Sequence, residues 1–300
     1  LVTVVPEEAA FACEEAVFTA VGSRRDIAFL TTKSAQSVTL TDAAGASLGT
    51  FSSNDGQVLY AGQGYEKERY LLWTLPVPKG NVPAFAEVEN SRIPVKLRTV
   101  LTPEDIELYS QTDGFWQDKK YSISQLEQSG CAVFTLSHAL QLLGYTGEEI
   151  QPENLAKTYA VALMKDGSGT MNSTLVGRAG KDFGFKTRYE LYENPNTIRE
   201  KADQGAVFTF SVVNGHIACV ADVEGDKCLI IDSAPSATFE RKGETPVYVQ
   251  DENGGFVPVE TPAEIGGVEY CMETGSYGSA VYYLDLSYVA RRGVRLIQPE

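Results

Sequence analysis

Among the residues of this 300-residue chain, five cysteines and two histidines could combine into a thiol nucleophile with a base. In YSISQLEQSGCAVFTLSHALQLL, residues 121–143, Cys131 opens a strongly apolar helical run just behind Ser129-Gly130. A cysteine at a helix start is where a thiolate forms most easily, because unpaired backbone N–H groups and the positive helix end face it. Cys13, Cys219, Cys228 and Cys271 lack that setting and read as small buried hydrophobes. Gln125 and Gln128 both precede Cys131 closely enough to offer a side-chain N–H to an oxyanion hole, with the Cys131 amide as second donor. Ser129 reads as a helix cap, and neither Ser129 nor Ser137 has the strained-turn context of a serine nucleophile.

The base is nearly a binary choice. His138 returns to the face of Cys131 but lies about 10 Å further along the helix axis. A base must stand within about 2.6–3.2 Å, so His138 is expected to be a packed or hydrogen-bonded helix residue. His216 opens a strand after Asn214-Gly215 and must reach Cys131 through the fold. Asp232 ends the next strand and would orient the imidazole, although it also suits a cap for the SAPS turn that follows. Asp222 competes, but from the far, turn end of its strand. A three-residue loop at Glu224-Gly225-Asp226 puts His216 and Asp232 on one sheet face, whereas a two-residue loop would separate them. The odd loop is therefore predicted. It also puts Cys219 and Cys228 on opposite faces, which excludes a disulfide between them. The two histidines and scattered cysteines form no metal-ligand pattern, and no glycine pattern implies a nucleotide, so neither metal nor cofactor is expected.

The elements that must position these groups fall into two textures. Over residues 1–100, the runs IAFLTT, SVTLTD, ASLGTF, QVLYAG, YLLWTL, AFAEVE and VKLRTV alternate with the turns DAAG, SSNDG, PVPKGN and ENSRIP. That pattern predicts an all-β sandwich. Residues 1–20 read either as a proline-started helix closed by Gly22 or, in VFTAV, as a strand. Residues 101–120 form a linker, with a short helix predicted over TPEDIELY behind a Thr cap. Over 121–300, helices are predicted at 131–143, 152–163, 172–183 and 196–204. The strands AVFTFSVV, HIACVADV, KCLIIDSA, TPVYVQ, GGFVPVE, VEYC, VYYLDLSYV and VRLIQ follow. Helices first and antiparallel strands after describe an α+β domain.

Hydrophobic residues make up 43% and charged residues 22%, as in an ordinary folded protein. With 25 Lys+Arg against 40 Asp+Glu the net charge is −15, which disfavours nucleic acid and anionic membrane surfaces as partners. No apolar run approaches the roughly 20 residues of a membrane span, so no transmembrane segment is expected. The start at Leu-Val-Thr fits a processed form, and the 15 tyrosines with modest lysine fit a secreted or cell-surface bacterial protein.

YSISQLEQSGCAVFTLSHALQLLGY, with GHIACVADVEGDKCLIIDSAP later, resembles the papain-like cysteine peptidases of the bacteriocin-processing (C39-like) group and their exported relatives. The likeness covers roughly residues 115–235. In that superfamily a Gln precedes the nucleophilic Cys by six residues, a His opens a strand, and an Asp or Asn lies on the neighbouring strand. The matching positions are Gln125, Cys131, His216 and Asp232, and the spacing favours Gln125 over Gln128. Ala132 stands where relatives often carry Gly, and Ser233-Ala234 intervene before Pro235. The resemblance implies a hydrolase that cleaves peptide or related amide bonds through an acyl-enzyme, acting on a peptide, protein or cell-wall peptide. The same residues would also serve an acyltransferase, an amidase or an inactive fold kept as an extracellular binding module. The N-terminal β domain resembles the immunoglobulin-like modules of exported enzymes, which would position the enzyme on a surface or cover its cleft. The stretch 235–280 is expected to wall one side of the cleft.

Overall fold

The computed structural model describes residues 10–21, 24–32, 35–61, 68–78, 81–97, 101–190, 195–243 and 245–299. The chain divides into two compact units, Leu1–Asp105 and Ile106–Glu300.

The first unit is all-β. Its strands are β1 (Ala16–Val21), β2 (Arg24–Thr32), β3 (Ser37–Thr41), β4 (Ser47–Ser52), β5 (Gly56–Ala61), β6 (Glu68–Pro76), β7 (Phe85–Val88) and β8 (Ser91–Leu97). The order is β4-β3-β7-β8-β1-β2-β6-β5, with β1 and β8 the parallel pair. Strand alternation buries Phe18, Ile27, Phe29, Val38, Leu40, Trp73 and Leu75. The Trp73 indole N–H donates to Thr31 Oγ1 at 2.8 Å, which satisfies the one polar atom of that ring. VFTAV falls within a strand; residues 1–9, where the alternative helix would begin, lie outside the described residues. TPEDIELY makes only a 3-10 turn, Pro103–Asp105. Asp105 accepts from both the amide and hydroxyl of Thr102, closing the segment into a turn before an α-helix can propagate.

The second unit is α+β. It begins with a two-stranded pair, β9 (Lys120–Tyr121) and β10 (Ser124–Gln125), followed by α1 (Leu126–Ser129) and α2 (Cys131–Leu142). Next come α3 (Pro152–Thr158), α4 (Asn172–Phe183), β11 (Phe185–Glu190) and α5 (Asn196–Asp203). Strands β12 (Val207–Val213), β13 (His216–Glu224) and β14 (Lys227–Asp232) then lead into α6 (Pro235–Arg241). The chain continues through β15 (Val247–Gln250), β16 (Phe256–Val259), β17 (Tyr270–Cys271), β18 (Ser276–Tyr277), β19 (Ala280–Asp285), α7 (Leu286–Arg292) and β20 (Val294–Pro299). The large sheet runs β11-β20-β12-β13-β14-β19-β15-β16, with every pair antiparallel.

Helix α2 lies across the middle of this sheet, against β12, β13 and β14. Every residue of it except Gln141 is buried, as its all-round apolar sequence requires. Its hydroxyls are satisfied by backbone: Thr135 donates to Ile217 O at 3.0 Å and Ser137 to Ile150 O at 2.7 Å. The first of these bonds pins the helix beside the start of β13. Two expectations are corrected here. Ser129 ends α1 instead of capping α2, and its hydroxyl donates to Gly167 O at 2.6 Å. The run VYYLDLSYV splits after Asp285 into a strand and a helix, because LSYVARR buries Leu286, Val289 and Ala290 at helical spacing. Strand β11 and helices α1 and α6 had no counterpart in the expected elements.

Candidate functional site

Cys131 is the first residue of α2, behind Gly130. A side chain at Gly130 would place its Cβ 2.3 Å from Leu126 O, so only glycine lets α1 turn directly into α2. In the first turn of α2 the Val133 and Phe134 amides both bond back to Gly130 O, which leaves the Cys131 and Ala132 amides without a partner inside the helix, at its positive end. Cys131 is 8% exposed and His216 3%, so both residues are nearly dry.

His216 begins β13 after the Asn214-Gly215 turn, where Gly215 adopts φ +81°. Its Nε2 lies 2.6 Å from Asp232 Oδ1, and Cys131 stands near enough to act on the charge of the ring. With Nε2 engaged by the carboxylate, Nδ1 is the nitrogen left for sulfur. Burial alone would lower the His216 pKa. The charge and hydrogen bond of Asp232, followed by the contact with Cys131, outweigh it and carry the value to about 10.

Asp232 ends β14 and is wholly buried. Its Oδ1 accepts from His216 and from the Ala234 amide at 2.9 Å. Its Oδ2 accepts from Thr238 Oγ1 at 2.6 Å and from Tyr282 Oη at 2.7 Å. Burial opposes ionisation, but His216, Thr238 and Ala234 prevail and hold the carboxyl down at about 2. Thr238 and Tyr282 escaped the sequence reading. Pro235 at the first position of α6 was the available signal, since a helix starting there hangs Thr238 over Asp232. Nothing in VYYLDL marks Tyr282, whose strand placement depends on the pairing of β14 with β19.

The turn between β13 and β14 corrects the expected loop. Glu224 pairs with Lys227, leaving the two-residue turn Gly225-Asp226, with Gly225 at φ +59°. A bulge at Ala221 then shifts the register by one residue, so Cys219 faces Ile231 after all. His216 and Asp232 therefore share a face, by a bulge instead of an odd loop. Cys219 and Cys228 are free thiols, as are the other three cysteines. Asp222 lies beyond the bulge and accepts only a local bond from the Val223 amide at 2.7 Å.

Gln125 is half-buried at the junction of β10 and α1, one helical turn ahead of Cys131, and makes no capping bond. Gln128 is exposed on α1. Tyr121 is fully buried on β9, with its hydroxyl 3.3 Å from Thr170 Oγ1, which donates to Ser129 O at 2.8 Å. Gln111 bridges the two halves of the site. Its amide donates to Ser233 O at 2.8 Å and its side chain to Glu127 O at 2.6 Å.

His138 makes no bond to Cys131, His216 or Asp232. It is fully buried, accepts from the Tyr109 amide on Nε2 at 2.9 Å and stacks on the Tyr109 ring. Its Nδ1 carries the hydrogen and has no partner among the described residues. Burial lowers its pKa to about 4 despite the nearby Asp232 charge, so it is neutral over the physiological range.

Chemically, a thiol, an imidazole and an ionised carboxylate in this order can move the sulfur proton to the ring and hold it there. Among the described residues no group of three or more His, Cys, Asp and Glu is arranged to hold a metal ion, and no helix is long and apolar enough to cross a membrane. No protein-family model, curated protein or solved structure matches this chain.

Proposed function

We propose that this protein is a papain-like thiol hydrolase that cleaves peptide or related amide bonds through an acyl-enzyme on Cys131. The observation that carries the reading is the His216 imidazole, held between the Cys131 thiol and the Asp232 carboxylate in a nearly dry setting.

The chemistry follows from the hydrogen-bond directions. His216 Nδ1 takes the Cys131 proton, and the thiolate attacks the carbonyl carbon, forming the C–S bond. Charge builds on the carbonyl oxygen, where the Cys131 amide and the Gln125 side chain are the donors at hand. The tetrahedral species collapses with loss of the C–N bond, and His216 returns its proton to the departing amine. Water then attacks the thioester, giving one proton to His216 Nδ1. The C–S bond breaks, the acid product leaves, and that proton restores the Cys131 thiol. Asp232 never takes the proton; it fixes the ring orientation and favours the imidazolium. The N-terminal β unit is read as an accessory immunoglobulin-like module, and the enzyme as an exported one acting on a peptide, protein or cell-wall peptide.

The test is the alkylation rate of Cys131 by iodoacetamide against pH, read by mass spectrometry of the labelled peptide, in the wild type and in His216→Ala. Fast labelling well below the free-thiol pKa of about 8.5, lost in the variant, supports the reading. An ordinary thiol titration unchanged by the substitution overturns it in favour of a non-catalytic binding module.

A further inference from the structure

The carboxylate of Asp232 has four acceptor positions, and four donors fill them: His216 Nε2, the Ala234 amide, Thr238 Oγ1 and Tyr282 Oη. Two of these come from residues outside the Cys-His-Asp set. Thr238 is 1% exposed and Tyr282 fully buried, so no water competes for the same lone pairs. Resting on the thiol-hydrolase reading, we propose that Tyr282 and Thr238 are positioning residues, whose hydroxyls lock Asp232 as an anion and thereby direct His216 Nδ1 at Cys131.

The logic is one of donor direction. A protonated Asp232 would carry a hydrogen of its own in a pocket already holding four donors, and one of the four would lose its acceptor. The filled shell therefore favours the ionised form. An ionised Asp232 requires hydrogen on His216 Nε2, which leaves Nδ1 bare in the neutral ring. That is the atom that must accept the thiol proton. Both hydroxyl donors sit on regular elements: Thr238 on α6 and Tyr282 on β19, whose Ala280 pairs directly with Asp232. Tyr282 Oη and Thr238 Oγ1 lie 3.4 Å apart, side by side on the same carboxylate oxygen.

The other titratable groups facing Asp232 do not supply this function. His138, on α2, is neutral with its pKa lowered to about 4, chiefly by burial. Cys131 makes no hydrogen bond to Asp232. The Tyr282 hydroxyl is itself held well above its ordinary pKa, by burial first and the Asp232 charge second, so it stays a donor.

The experiment measures iodoacetamide labelling of Cys131 between pH 4 and 9 in the full chain, for wild type, Tyr282→Phe, Thr238→Val and Thr238→Ser. Loss of a hydrogen bond to a buried charge is expected to move the acid limb of the profile up by about one pH unit in Tyr282→Phe and Thr238→Val, about a tenfold slower reaction at acidic pH. Thr238→Ser keeps a hydroxyl and is expected to follow the wild type, which separates loss of the donor from general loosening. Acid limbs in Tyr282→Phe and Thr238→Val that coincide with a low wild-type limb overturn the positioning role while leaving the hydrolase reading intact. An ordinary thiol titration in the wild type overturns both.

Discussion

His216 and Asp232 meet at 2.6 Å because Ala221, a single extra residue in β13, cancels the register of the turn that joins their strands. Gly225-Asp226 alone would set the two side chains on opposite faces of the sheet. The bulge sits between the turn and the site, so the turn end of the hairpin can be tight while the other end presents both groups to α2. A bulge near a site that re-aims a side chain is a recurrent device.

Deleting Ala221 removes the unpaired residue but keeps 220 opposite 230 and 219 opposite 231, so His216 stays on the face of Asp232 and Cys131 labelling at pH 6 is expected to remain near wild type. Deleting Ala218, which lies between the bulge and His216, moves His216 by one strand position to the far face and is expected to slow that labelling by at least about a hundredfold. Equal losses from the two deletions, with circular dichroism showing folded proteins, would disprove the register account.

Gln125→Ala is expected to slow turnover of an activated ester by about 10²–10³-fold, the cost of one oxyanion donor. Iodoacetamide labelling of Cys131, which develops no oxyanion, should change little. Gln128→Ala, at an exposed position, is expected to leave both measurements near wild type. Equal effects from the two glutamines would remove Gln125 from the site.

His138 makes stability depend on pH. Its folded pKa of about 4 lies below the unfolded value, so the unfolded chain binds a proton first as pH falls. The stability His138 allows is complete above about pH 6.5 and declines towards pH 4, by about 3 kcal/mol in all. His138→Gln keeps an acceptor for the Tyr109 amide and removes the titration. Urea unfolding at pH 7 and pH 4.5 should then show a smaller acid loss in the variant. The Asp232–His216 pair has the opposite placement in pH. Asp232 is held low, so its contribution is present above the unfolded value near 3.8 and fades towards pH 2. His216 is held high, so its contribution is complete below the unfolded value near 6.5 and fades as pH rises towards 10.

Gly130→Ala forces a methyl group into Leu126 O. The α1–α2 junction must open, at a cost of about 1–3 kcal/mol, and Cys131 shifts from His216. Thermal unfolding and labelling rate should fall together; an unchanged labelling rate would show that the junction does not position the thiol.

The positions of α2 and α4 were legible in the chain itself. An apolar run opening at Cys131, and Gly184 closing Asn172–Phe183 at φ +75°, are local signals that sequence spacing carries. So were the strand starts at His216 and the end at Asp232, since turn residues and β-branched runs bracket them. The separation of His138 from Cys131 along α2 was also readable, because distance along a helix follows from residue count alone. What the chain did not disclose are relations between elements distant in sequence. The Ala221 bulge leaves no mark in HIACVADV, because a bulge is an outcome of pairing on both sides of the strand. Tyr282 looks like any strand tyrosine until β19 is laid against β14, some fifty residues away in sequence, which brings its hydroxyl to Asp232. The residue types able to do chemistry, and the helix and strands that carry them, were determined locally. Which face each side chain takes, and which hydroxyls complete the carboxylate's shell, were decided only when long-range pairing placed β13, β14, β19 and α6 together.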